Sequence, residues 1–212
     1  MNDSPNRPPP SLPIVMAITG ASGAPYAIRL LETLLADGRD VELVVSPAGV
    51  AVIRQETGIA LDADAIRPEA LLAGATLGPG ALERLRVWHH RDLMAPIASG
   101  SHRTAAMVIC PCSGGTLAAV AHSLGTNLVH RAAEVHLKER RKLVVVPRET
   151  PLSLPQLENM AAIHRAGAVV LPAAPGFYAG ATTLADLVDF VVARICDQLG
   201  VAHDLVRRWG AP

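Results

Sequence analysis

Three groups of residues in this chain have the types and spacing for chemistry. The first is Gly20-Ala21-Ser22-Gly23, which ends an apolar run, Ile14-Val15-Met16-Ala17-Ile18-Thr19, and leads into a helical pattern. A strand that breaks into Gly-x-x-Gly and then a helix aims backbone N–H groups and the positive end of a helix dipole at one point, which suits a phosphate. The Ser22 hydroxyl adds one more hydrogen bond. The first Gly of the full G-x-G-x-x-G fingerprint is missing, so a plain β–α turn remains open from these residues alone. The second group is Asn127, Arg131, Glu134 and Lys138, spaced 4, 3 and 4 apart on one helical stripe. Its plainer reading, which spacing favours, is a solvated face with internal ion pairs; its functional reading is a cationic wall for a phosphate. The third is Arg148-Glu149 directly after an apolar strand, where adjacent opposite charges suit an anion clamp beside a proton-transfer group.

The elements that must position these groups alternate along the chain. Short β-branched runs at Ile14–Ala17, Val41–Val45, Met107–Cys110, Leu143–Val146 and Ala168–Leu171 read as strands, with a shorter one at Val87–His89. Helices are expected over Tyr26–Ala36, Gly49–Thr57, Leu117–Val120, a stretch after Asn127 to about Arg141, Pro155–Arg165 and Thr183–Leu199. Residues 61–86 show little beyond one short helix and loops, and Ala98–Ser101 reads as a flexible polar turn. The alternation predicts an α/β fold, a three-layer sandwich whose mostly parallel sheet is covered on both faces. In such sheets the ligand lies beyond the carboxyl ends of the strands. Those exits, Thr19–Gly23, Ser46, Pro111–Thr116, Pro147–Thr150 and Pro172–Tyr178, hold most of the Gly, Ser, Thr and Pro clusters.

Composition excludes several classes. The chain has 212 residues, half hydrophobic, with 19 Lys plus Arg against 19 Asp plus Glu. A balanced charge argues against a nucleic-acid binder. Mean hydropathy is +0.30, which is greasy, yet the longest uncharged stretches are broken by Pro, Gly and Asn and offer no membrane span. The apolar surplus is expected at subunit interfaces. The eight histidines make no metal pattern, and no G-x-S-x-G elbow is present. Three cysteines, Cys110, Cys112 and Cys196, fit buried thiols in a reducing, cytoplasmic compartment. Residues 1–13 carry five prolines and are expected to be a disordered lead-in to a single domain over 14–212.

Taken together and in order, Thr19–Ala24, Ala98–Ser101, Cys110–Ser113, Arg131–Arg141, Val146–Pro151 and Leu171–Tyr178 make the chain resemble the UbiX-like flavin prenyltransferases, formerly called 3-octaprenyl-4-hydroxybenzoate carboxy-lyases. The match spans about Ile14 to Gly210. The resemblance implies a Rossmann-like (flavodoxin-like) FMN protein, usually a homododecamer built from trimers, that needs no metal. Such enzymes move a dimethylallyl group from dimethylallyl phosphate to N5 and C6 of reduced FMN, and the prenylated FMN serves UbiD-type decarboxylases. Carried over by motif, Gly20, Ala21, Ser22, Ser46, Ser113, Thr116 and Arg131 would surround FMN. Lys138, Arg148, Tyr178 and Arg194 would hold the prenyl phosphate. Ser22, Glu56 and Glu149 would be catalytic, with Glu149 the better candidate for proton handling. Several of these would come from neighbouring subunits. The chain departs from the family pattern at Gly114, at Leu93 and at His130. A flavin-dependent cysteine decarboxylase and a non-catalytic FMN-binding module are the alternatives; the L-K-E-R-R and P-R-E-T-P blocks favour the prenyltransferase over the former. Retention of Glu149, Lys138 and Tyr178 speaks against the latter.

Overall fold

A computed structural model describes residues 12–178, 180–208 and 210. Six strands form one sheet: β1 (Ile14–Ile18), β2 (Val41–Val45), β3 (Leu85–Trp88), β4 (Ala106–Cys112), β5 (Lys142–Pro147) and β6 (Val169–Val170). Seven helices connect or flank them: α1 (Ala24–Ala36), α2 (Pro47–Thr57), α3 (Pro68–Leu71), α4 (Gly114–Ala121), α5 (Leu128–Lys138), α6 (Leu154–Arg165) and α7 (Leu184–Leu199). Every pairing is parallel and the order is β3-β2-β1-β4-β5-β6, the doubly wound Rossmann order. None of the helices among the described residues is long and apolar enough to cross a membrane.

The unbroken apolar strands follow from burial on both faces. Along β1, Ile14, Met16 and Ile18 face a core shared with Leu30, Leu31 and Leu34 of α1, Ile53 of α2 and Val192 of α7. Val15 and Ala17 face the other core, with Leu117 of α4, Ala132 of α5 and Ile163 of α6. Each layer is therefore stitched by alternate residues of the same strand.

Some boundaries differ from the expectation. β4 continues through Pro111 to Cys112 because Pro111, though it lacks an N–H, still offers its carbonyl. β6 shrinks from Ala168–Leu171 to two residues, since Pro172 follows closely and the edge strand pairs on one side only. α5 stops at Lys138, and Arg140 has a left-handed φ of 55°, which ends the turn before Arg141. The segment 61–86 holds α3 and a single 3-10 turn at Leu82–Arg84, and β3 begins two residues early, at Leu85. The Pro-rich lead-in lies outside the described residues except for Leu12 and Pro13, and the Pro13 carbonyl already accepts the Ala105 N–H at 2.9 Å.

Candidate functional site

From β1 the chain winds one way through β2 and β3, then returns to β4 on the other side of β1. The strand order thus reverses between β1 and β4, and the crevice beyond their carboxyl ends is where such sheets bind ligands. Thr19 locks the two sides of that crevice together. Its hydroxyl donates to the Pro111 carbonyl at 2.8 Å and accepts the Ser113 N–H at 2.8 Å, and its own N–H also reaches the Pro111 carbonyl. Thr19 is 1% exposed, so nothing in solvent substitutes for these bonds.

Immediately after Thr19 the backbone runs against α2. A Cβ on Gly20 would lie 2.5 Å from the Ala48 Cβ, so only glycine lets the turn pass this close. Among the described residues, the N–H groups of Gly20, Ala21 and Ser22 meet no acceptor. Two more helix N-termini open on the same edge, each with a serine cap. Ser46 accepts the Gly49 N–H at 3.0 Å, and Ser113 accepts the Thr116 N–H while donating to the Thr116 hydroxyl at 3.0 Å. Three unpaired amides, two capped helix N-termini and a side-chain-free Gly20 fit the phosphate-bearing end of a mononucleotide such as FMN.

The N-terminus of α1 is organised differently from the expectation that its dipole lies open for a phosphate. Glu56, near the end of α2, takes its donors: Oε2 accepts from Gly23 N at 2.9 Å and Ala24 N at 2.8 Å. Burial pushes the Glu56 carboxyl up, but hydrogen bonds from Ser22, Gly23 and Ala24 and the Arg148 charge together outweigh it and hold the group below the usual carboxylate range. Arg148 Nε donates to the Ser22 carbonyl at 3.1 Å, which closes a cluster of Ser22, Glu56 and Arg148. Ser22 and Glu56 of this cluster also line a cleft of about 790 Å³ between α1 and α7, together with Tyr26, Leu187 and Val188. Burial, then the nearby Cys110, raise the Tyr26 phenol, with Arg148 opposing them.

Glu149 turns away from its neighbour, as alternate residues leaving a strand do. It is exposed, its Oε1 accepts the Thr150 N–H at 3.2 Å, and its Oε2 accepts Gln156 Nε2 at 3.3 Å. The described contacts do not join it to Ser22 or Glu56.

Three other expected residues, Arg131, Lys138 and Arg194, make their described contacts away from the Ser22 cluster within one copy of the chain, and Tyr178 lies on the loop before α7. Arg131 donates to the Ala98 carbonyl at 3.0 Å and to Glu134 at 2.9 Å. Lys138 ends α5 and pairs with Glu139. Because α5 starts at the carboxyl edge, where Leu128 N donates to the His90 carbonyl, Lys138 is about 15 Å down the axis from that edge. There, two residues from Lys138 in sequence, His136 meets Thr104, just before β4. Arg194 lies at a similar depth on α7 and pairs with Asp197 at 2.8 Å. Tyr178 is 68% exposed and packs edge-on to Phe190, ring centroids 5.6 Å apart. Among the described residues no group of His, Cys, Asp or Glu has the arrangement to hold a metal ion.

Two residues that shape this edge were not among the expected site residues: Thr19, which the sequence placed only in the first strand exit, and Gln156. Thr19 had a signal, a hydroxyl between an apolar strand and the first glycine. Gln156 had only its place three residues after Ser153, a capping-box spacing.

The comparisons with known proteins agree with this geometry. A family model described as Flavoprotein matches residues 3–196. The flavin prenyltransferase UbiX of Pseudomonas aeruginosa is 52% identical over 198 residues, 93% of each chain. Among solved structures, AnUbiX (PadA1) in complex with FMN and dimethylallyl pyrophosphate is 37% identical, with a TM-score of 0.82 over 95% of this chain and 98% of that one. A dodecameric FMN-dependent UbiX-like decarboxylase from Escherichia coli O157:H7 is 38% identical, with a TM-score of 0.81 over 94% of this chain and all of that one. With half of its residues shared across nearly its whole length, this chain belongs to the UbiX family of flavin prenyltransferases.

Proposed function

We propose that the protein joins a dimethylallyl group from a dimethylallyl phosphate ester to N5 and C6 of reduced FMN. The observation that carries this reading is the convergence of Ser22, Glu56 and Arg148 beside three unpaired amides at the switch between β1 and β4. Gly20, Ala21, Ser22, Ser46, Ser113 and Thr116 are the residues of one copy that would hold FMN, and Arg131 would join them. Reduced FMN supplies the nucleophilic ring that accepts the prenyl group.

The protein's own groups handle charge and protons. As the C–O bond to the prenyl carbon breaks, negative charge grows on the phosphate, and Arg148 stands beside Ser22 to meet it. Ser22, which hydrogen-bonds the Glu56 carboxylate, has a hydroxyl that can turn toward the same phosphate. Glu149 would be the group that takes up the proton given off on prenyl transfer, as the family pattern suggests. The apolar cleft wall of Tyr26, Leu187 and Val188 would face the prenyl chain and limit water around the reacting carbon.

Lys138 and Arg194 lie too deep on their helices to join Arg148 in the same copy, so they serve the phosphate of a neighbouring copy, with Tyr178. That requirement supports a homo-oligomer, a dodecamer built from trimers. The product, prenylated FMN, passes to a UbiD-type decarboxylase, and the reaction takes place in the cytoplasm.

Anaerobic incubation with reduced FMN and dimethylallyl phosphate or pyrophosphate, followed by mass spectrometry of the extracted flavin, tests the activity. The expected result is a flavin heavier by one five-carbon unit; an unchanged flavin with both donors overturns the reading.

A further inference from the structure

Gln156 and Gly114 form one device around Glu149. Gln156 is the third residue of α6, and its Oε1 accepts both the Ser153 N–H at 2.9 Å and the Ser153 hydroxyl at 3.1 Å. Two donors on one oxygen fix which way the amide faces: a flipped amide would aim NH₂ at the Ser153 N–H and its oxygen at a carboxylate. With Oε1 committed, Nε2 points to Glu149 and donates to Oε2 at 3.3 Å. The only other contact to that carboxylate among the described residues is from the adjacent Thr150, which travels with it. Gln156 is thus the link between Glu149 and a rigid element.

The amide fits there because position 114 is glycine. A Cβ on Gly114, at the first position of α4, would lie 2.8 Å from Gln156 Nε2. That contact falls on the far end of a flexible side chain, so a larger residue moves Gln156 rather than the backbone. The departure from the family pattern at Gly114 therefore has a partner in Gln156.

We infer that Gln156 is a positioning residue for Glu149, and that Gly114 is glycine to leave room for it. The inference rests on the proposed role of Glu149 in proton handling. Its physical content is independent of that role: a neutral donor aimed at a carboxylate orients it, and a like charge in its place repels it.

Gln156→Glu separates positioning from helix capping. Glu caps at this position as well as Gln does, so a residue that served α6 alone would tolerate the change. In the positioning role it sets two carboxylates face to face. With the full chain loaded with FMN, we expect Q156E to retain flavin, to keep KM for dimethylallyl phosphate, and to lose roughly tenfold in kcat. G114A is expected to lower kcat in the same way, and the Q156E/G114A double variant to fall no further than the worse single, because both act on one contact. Wild-type kcat in Q156E, or losses that multiply in the double, overturns the inference.

Thermal melting gives a readout that does not need turnover. Q156E is expected to melt about 2–4 °C below the wild type, and E149Q/Q156E to regain the loss, because a Gln at 149 can donate to a Glu at 156. No coupling between the two substitutions overturns the contact. If the wild type itself transfers no prenyl group, the functional reading falls and the melting cycle alone still decides the inference.

Discussion

The Glu56 carboxylate caps α1 at Ala24, accepting its N–H at 2.8 Å from a helix 32 residues further along the chain. The bond joins the two β–α units that flank the candidate site, and it involves the charged form of the acid. Since the folded-state group titrates below its ordinary value of 4.5, its stabilisation is present above that pH and is lost as pH falls through the lower folded value. Glu56→Gln is therefore expected to flatten acid unfolding below about pH 4.5. Its cost at pH 7 is about 0.5–1 kcal/mol, the low end for a helix cap because the group is largely solvated. Urea midpoints of both proteins across pH 3–7 check this.

A second acid-sensitive group works in a different window. His136 is 1% exposed; its Nδ1 donates to the Ala132 carbonyl at 2.7 Å, so Nε2 accepts from Thr104. Burial, against a weaker upward pull from the Ala132 hydrogen bond, lowers its value from 6.5 to about 4. The unfolded chain binds the proton first, so stability falls as pH drops from 6.5 toward 4, by about 2–3 kcal/mol in all. His136→Gln is expected to remove most of the change in urea midpoint between pH 7 and pH 5. A slope unchanged by the substitution would assign the effect elsewhere.

Thr19→Val tests the lock across the crevice. The substitution keeps the shape but strands the partly buried Ser113 N–H and deprives the Pro111 carbonyl of one donor. The expected cost is about 1–3 kcal/mol in unfolding free energy, with weaker FMN retention because the Ser113 turn moves. Denaturant titration and flavin content after gel filtration report the two effects separately.

The proposal that Lys138 and Arg148 serve one site from different copies makes a subunit test possible. Lys138→Ala and Arg148→Ala are each expected to be inactive. Co-expressed, they should regain roughly a quarter of wild-type turnover, because that share of sites draws both intact residues from different copies. No recovery in assembled mixtures would place the two residues in the same chain's site.

Much of the sheet was legible because a strand buried on both faces needs an unbroken apolar run; β2 matches its expected limits of Val41 and Val45 residue for residue. The misreadings occur where hydrogen bonding and hydrophobicity part company. Pro111 looks like a terminator in sequence, yet its carbonyl is the acceptor Thr19 needs. At the other edge, Leu171 N and Ala173 N still reach the Val145 and Pro147 carbonyls, although the regular strand has ended. The site was legible as a set of loops but not as a set of contacts. Side chains of Arg148 and Glu149 part at adjacent positions, and the Arg131–Glu134 pair forms the i,i+3 ion pair its spacing favours. Nothing in one chain's periodicity tells whether a residue serves its own copy or another.

The Glu56 cap also sets what the crevice offers to passing ions. A carboxylate already answers the positive end of α1, and Arg148 lies within its field. The carboxylate offsets much of that positive charge, so inorganic phosphate and other abundant small anions are held more weakly there than at an open helix end. A ligand gains its hold only when it also reaches the amides of Gly20–Ser22 and an apolar wall, and size and shape become the toll for admission.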